Sequence, residues 1–216
     1  DMVQTLSDTV QGVVTAKDGN VSGESEVYLN GLRSDVRTQE TNLGNLTADA
    51  NLAAAQAVDA GIQVSIKNGG GIRASIGEVV EVSPGVYEYT TTTANALSGK
   101  EEGQVSQLDI ENALRFNNGL TKVVTTVEGL VALLEHAVSA SGPGNTPGQF
   151  PQVGGLQFSF DPSLAPDNRV QNVWLIDEEG TPTVQLIEDG AVVSSAPETI
   201  RIVTLNFLVG DPGDTV

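Results

Sequence analysis

Asn68-Gly69-Gly70-Gly71-Ile72-Arg73 gathers residue types suited to holding an anion or a planar polar group. The stretch follows Ile62-Gln63-Val64-Ser65-Ile66-Lys67, whose period-two alternation predicts a strand. Glycines at a strand end permit positive φ and let a ligand approach the main chain closely. Asn68 supplies an amide on one flank, and Arg73 supplies a fork of donors that matches phosphate or carboxylate oxygens on the other. Arg33 and Arg37, four residues apart, are further cations in a chain with only 10 Lys and Arg. They form either a local positive spot against an acidic field or a solvated face of little energetic weight.

A second group is aromatic. Phe116 precedes the turn Asn117-Asn118-Gly119, and Phe207 follows the strand-like run Arg201 to Leu205. In a chain that is 4% aromatic, both rings fall at loop mouths. They either pack into the core or sandwich a flat heterocycle, where stacking contributes about 1–3 kcal/mol per base. Asn118 and Asp214 carry groups able to bond a base edge and ribose hydroxyls.

Other chemistry is hard to assemble. There is one histidine, His136, on an expected helix surface, and there are no cysteines, so neither a His-rich nor a thiolate metal centre can be built. No Gly-x-Ser-x-Gly elbow is present, and no pair of carboxylates has a spacing that argues for acid–base work. Catalytic residues, metal ligands and cofactors are therefore not expected within these residues; a binding site is.

The net charge of −18 argues against a nucleic acid polymer as partner, because phosphate contacts need a basic stripe, and against anionic membrane surfaces. No window reaches the roughly 18 apolar residues of a membrane span. No basic n-region of a signal peptide precedes the polar start, and the stretch resembles a piece of something longer.

The elements that must position these residues read as α+β, a mixed β-sheet packed with helices. Residues 1–23 read as an interdomain connector or first hairpin. Thr41 or Asn42 caps an Ala-rich helix ending near Gly61. Residues 77–106 read as a surface insertion or hairpin turning at Ser83-Pro84-Gly85. A capping-type start at Ser106 opens a helix over 108–114, Thr121–Thr126 reads as a strand, and Leu130, Val131, Leu134 and Val138 share a helix face. Gly142–Gly148 reads as a loop, followed by strands at 155–160, 169–176, 183–187 and 200–205.

Five blocks in order resemble the C-terminal domain of 5′-nucleotidases. They are Arg33-Ser34-Asp35-Val36-Arg37 with Glu40 to Leu46, the Asn68–Arg73 loop, Arg115-Phe116-Asn117-Asn118, Gln149 to Gly155, and Thr204 to Leu208. The resemblance implies a substrate-binding domain over 24–216, with 1–23 as its connector. It implies a partner in the same protein, an N-terminal metallophosphoesterase domain holding two divalent metal ions, and a parent that is secreted, periplasmic or at the cell surface. By the same resemblance Arg33, Arg37 and Arg73 surround the phosphate and ribose end, and Asn68 and Gly70 belong to the same loop. Phe116 and Phe207 clamp the base of a nucleotide or nucleoside, Asn118 lies near it, and Asp214 or Asp211 binds ribose. A non-catalytic acidic extracellular module, or a parent acting on nucleotide sugars or cyclic nucleotides, remains the alternative.

Overall fold

The computed structural model describes residues 2–210. In chain order the elements are α1 (Met2–Asp18), β1 (Val21–Glu24), α2 (Asn42–Gln56), β2 (Val64–Asn68), a 3-10 turn at Gly69–Gly71, β3 (Glu78–Ser83), β4 (Val86–Thr90), β5 (Gln104–Ser106) and α3 (Gln107–Ala113). There follow β6 (Leu120–Thr126), α4 (Val127–Val138), β7 (Pro151–Gly154), β8 (Leu156–Phe160), β9 (Val170–Ile176), β10 (Pro182–Glu188), β11 (Ala191–Val192), β12 (Thr199–Leu205) and a 3-10 turn at Asn206–Val209. Mixed sheets and helices make the chain α+β. Its described residues divide into two compact units: 2–32 with 72–115, and 33–71 with 116–210.

In the first unit, residues 2–18 form a helix and not the first hairpin that was one of the two expectations for this segment. Met2, Val3, Leu6, Val10, Val13 and Val14 recur on one helical stripe, and all are exposed, from 86% at Met2 to 42% at Val14. The C-terminal residue of α1 is buried in a polar knot. The Asp18 carboxylate accepts from Asn95 Nδ2 at 2.7 Å, Ser98 Oγ at 2.8 Å and Ser106 Oγ at 3.0 Å. Lys100 Nζ lies 3.0 Å from Asp18 and 3.0 Å from Asp109. Burial alone would raise the Asp18 carboxyl, but the hydrogen bonds from Lys100, Ser98, Asn95 and Ser106 outweigh it and hold it at about 2. Ser106 and Asp109 form a capping box that starts α3, as the sequence predicts. The β3–β4 hairpin turns at Pro84-Gly85, and every residue of both strands is exposed.

The second unit holds the apolar core. Its main sheet runs β6-β12-β2-β7, with β12 parallel to β2 and antiparallel to β6, and β2 antiparallel to β7. Strand alternation divides its two faces. Val64, Ile200 and Ile202 join Leu130, Leu134 and Val138 of α4 and the β8–β10 strands in one cluster. Val203 packs with Ala55 of α2 and Ile62 in another. A second sheet has the order β11-β10-β9-β8.

The Ala-rich α2, capped by Thr41, approaches β7 very closely. A Cβ on Gly154 would lie 2.6 Å from the Asp49 carboxylate and 3.1 Å from Ala48, so only small residues fit this contact. Inside α2, a Cβ on Gly44 would come within 1.8 Å of Gln152 Oε1. At this first-turn position the missing side chain admits the buried amide of Gln152.

Candidate functional site

Register places most of the expected site at one end of the main sheet. In the parallel pair, Thr204 lies across from Ile66, so β12 and β2 end side by side. Beyond them come Asn206-Phe207 and the glycine turn. In the antiparallel pairs, Leu205 lies opposite Leu120 and Asn68 opposite Pro151, so β6 and β7 begin at that same end. Phe116 and Asn118 precede β6, and Gly148 precedes β7. The order along this end is therefore Phe116 and Asn118, then Phe207, then Asn68 and Gly70, then the 146–150 loop. At about 4.8 Å per strand, the four strands span about 14 Å.

The two aromatic loops are tied to each other. Asn206 N–H donates to Gly119 O at 2.9 Å, joining the segment that carries Phe207 to the turn that follows Phe116. The rings are not core: Phe116 is 56% and Phe207 70% exposed. Of the two readings open in the sequence, core packing is thus the one excluded. Asn118 is half-buried beside them.

At the other side of the sheet end, the glycine turn is a rigid shelf. None of Gly69, Gly70 and Gly71 has positive φ, contrary to the sequence expectation. Gly69 and Gly70 serve close backbone contact, whereas a Cβ on Gly71 would meet only the Asn68 side chain, at 3.4 Å. Gly69 N–H donates to Phe150 O at 2.7 Å and Gly70 N–H to Gly148 O at 2.9 Å. A Cβ on Gly69 would sit 1.8 Å from Val36 O, and one on Gly70 would sit 2.6 Å from Gly148 O. These two N–H groups are therefore used within the protein. Asn68 is pinned as well, its Nδ2 donating to Gly148 O at 3.2 Å.

Arg37 is buried against the same loop. Its Nη1 lies 3.5 Å from Thr146 O, and a Cβ on Gly148 would lie 3.6 Å from that nitrogen. A solvated face, the milder reading for Arg33 and Arg37, holds for Arg33, which is exposed, but not for Arg37 at 8% exposure. Arg73 is exposed and belongs to the first unit, where its N–H donates to Ala113 O at 2.8 Å. Asp214 and its alternative Asp211 lie outside the described residues. Among the described residues no group of three His, Cys, Asp or Glu gathers as a metal site, and His136 is an exposed helix residue.

Two residues of this region carried no role in the sequence reading. Gln152, 1% exposed, donates from Nε2 to Val36 O at 3.0 Å and to Gln39 O at 2.8 Å, and its Oε1 accepts from Thr41 N–H at 3.4 Å. It fastens the segment bearing Arg37 to β7 and to the start of α2. An amide inside a strand of otherwise small and apolar residues is the only sequence signal for it. Lys67, immediately before Asn68 and opposite Gln152, is 4% exposed. Burial pushes its ammonium down to about 8.

Together these features gather most of the candidate residues at one end of the main sheet of an α+β domain. The family model for the 5′-nucleotidase C-terminal domain matches residues 19–210, and the chain belongs to that family. The trifunctional nucleotide phosphoesterase YfkN of Bacillus subtilis (strain 168) is 32% identical over 192 residues, 89% of this chain and 11% of that protein. The 5′-nucleotidase of Homo sapiens is 29% identical over 153 residues, 68% of this chain and 23% of that protein. The crystal structure of a 5′-nucleotidase precursor from Thermus thermophilus superposes with a TM-score of 0.69 at 31% identity, over 97% of this chain and 34% of that one. The chain thus spans between a ninth and about a third of the length of these relatives.

Proposed function

We propose that this chain is the nucleotide-binding domain of a phosphoesterase acting on nucleoside 5′-phosphates, and that a two-metal catalytic domain of the same protein performs the hydrolysis. In this reading the chain contributes positioning and charge neutralisation. Phe116 and Phe207 clamp the base, with Asn118 at its edge. Asn68, Gly70, Arg33, Arg37 and Arg73 serve the ribose and phosphate end, and Asp214 the ribose hydroxyls. The exposed apolar stripe of α1 is suited to packing against the catalytic domain. A secreted, periplasmic or cell-surface setting accords with similarity to the snake venom 5′-nucleotidase of Macrovipera lebetinus.

The observation that carries this reading is the hydrogen-bonded pairing of two exposed phenylalanine loops beside the glycine shelf. Calorimetric titration of the chain with adenosine and with AMP tests it. The expected result is weak, saturable binding that the double substitution Phe116→Ala, Phe207→Ala removes. Absence of binding by the unaltered chain would favour a module that has lost its ligand, and a preference for nucleotide sugars or cyclic nucleotides would change the substrate class. With added divalent metal the chain by itself is expected to release no phosphate from AMP; robust turnover would overturn the division of labour.

A further inference from the structure

Starting at Phe150 to Gln152, beside the sheet end just described, the second unit contains a groove of about 1060 Å³ that the nucleotide reading leaves unused. One wall is a single face of α2, formed by Asn45, Asp49, Leu52 and Gln56 at helical spacing. The other is made by two consecutive strands, each the outermost of its sheet: β7 ends the main sheet and β8 ends the second. The chain passes between them at Gly155, whose φ of +68 and close approach to Gln63 O exclude a side chain.

Residues 150–153 and 155–158 line the groove consecutively, as a strand edge does, and Phe160 without Ser159 adds part of the β8 face. Natural edges are blunted by lysine, proline or inward charge. β8 reads Leu-Gln-Phe-Ser-Phe and carries none of these. Its five residues offer an edge about 17 Å long.

Charge selects the occupant. Glu40, Asp49, Asp177, Glu178 and Glu179 line the groove, and no Lys, Arg or His does. Burial raises the Asp49 carboxyl, as expected for a carboxylate without a facing cation. Nucleotides are repelled by such a lining. A second copy of this chain is a poor fit too, because the net charge is −18 and its fully exposed strands, β3 and β4, carry glutamates and no cation.

We propose that this groove binds an extended basic peptide segment of another protein, which adds as a strand to the β8 edge and sets its Lys or Arg side chains against the Asp49 and Asp177–Glu179 carboxylates. Main-chain bonds to the edge supply affinity, and the carboxylates select for positive side chains. This assignment does not depend on the nucleotide reading.

Fluorescence anisotropy tests it with a labelled octapeptide alternating Lys or Arg with Val or Thr. Three probes accompany it: the same peptide N-methylated on alternate amides in each of the two registers, and a Glu-for-Lys version. The unmodified basic peptide is expected to bind saturably and more weakly as salt rises. One N-methylated register and the Glu version bind roughly tenfold or more weakly. Glu178→Lys with Glu179→Lys, both in an exposed turn, also weakens binding roughly tenfold. Amide exchange protection on binding should fall on residues 156–160. Equal binding of the unmodified and both methylated peptides would reduce the interaction to charge alone and overturn strand addition. No saturable binding at low salt, or protection confined elsewhere, overturns the site.

Discussion

The two compact units are held together by opposite chemistry. The unit of residues 33–71 and 116–210 is built on a continuous apolar cluster, with Leu130, Leu134, Val138, Ile200 and Leu186 fully buried. The unit of residues 2–32 and 72–115 buries few large apolar side chains and centres instead on Asp18, Lys100, Ser106 and Asp109. An apolar cluster loses stability gradually as methylenes are removed. A buried charge network fails abruptly, because deleting one member leaves the others buried without compensation. The unit with the candidate sheet end is thus the one with the tolerant core.

The distribution of fluorophores allows each core to be watched. Tyr28, Tyr87 and Tyr89 all lie in the first unit, and the only tryptophan, Trp174, is in β9 of the second. The largest effect is expected for Lys100→Ala, which strands two carboxylates. It should cost about 3–5 kcal/mol and, in urea titration, lower the tyrosine-reported midpoint more than the tryptophan-reported one. Leu134→Ala should cost about 3 kcal/mol with the opposite ranking of the two probes. If both substitutions move both signals equally, the contrast between the cores does not govern unfolding.

Lys67→Met, at a buried position in the second unit, should instead stabilise by about 3 kcal/mol at pH 7. The sign follows from the depressed ammonium at about 8. Between pH 8 and the unfolded value of about 10.4 the unfolded chain holds a proton that the folded chain lacks, so stability rises with pH across that window. Unaltered protein should show that rise, and the Met variant should lose it.

The smallest expected effect is the acid response of the polar knot. Asp18 is held at about 2, below its unfolded value near 3.9, so its contribution is complete above pH 4 and is lost as the pH falls through 2. It amounts to about 2 kcal/mol. The tyrosine signal should report that loss in acid titration, and Asp18→Asn should flatten it.

The same contrast explains what was legible in the sequence. Periodicity located α4 with Leu130, Leu134 and Val138, alternation located β2, and β-branched or apolar runs bounded by turns located β6, β9 and β12. The polar knot draws on Asp18, Asn95, Ser98, Lys100, Ser106 and Asp109, which share no period, so only the Ser106–Asp109 cap could be read. α1 was missed because half of its residues are polar. β7 was read as part of a loop motif, since Pro151, Gln152 and Gly154 are poor strand formers in isolation.

Among the candidate residues, the physical reasons for the glycines and for Arg37 were not legible in the sequence. The glycines of the 69–71 turn promised unusual dihedrals; they are there because Val36 O, Gly148 and Phe150 O press against the backbone. Arg37 could not be separated from Arg33 by spacing, yet Gln152 and the 146–148 loop bury one and leave the other in solvent.

The most direct measurement is an isotope-filtered NMR experiment on the chain with selectively labelled phenylalanine and saturating adenosine. Cross-relaxation from the base protons to the rings of both Phe116 and Phe207 is the predicted result. Contacts to one ring only, or to neither while the nucleoside remains bound, would contradict the clamp.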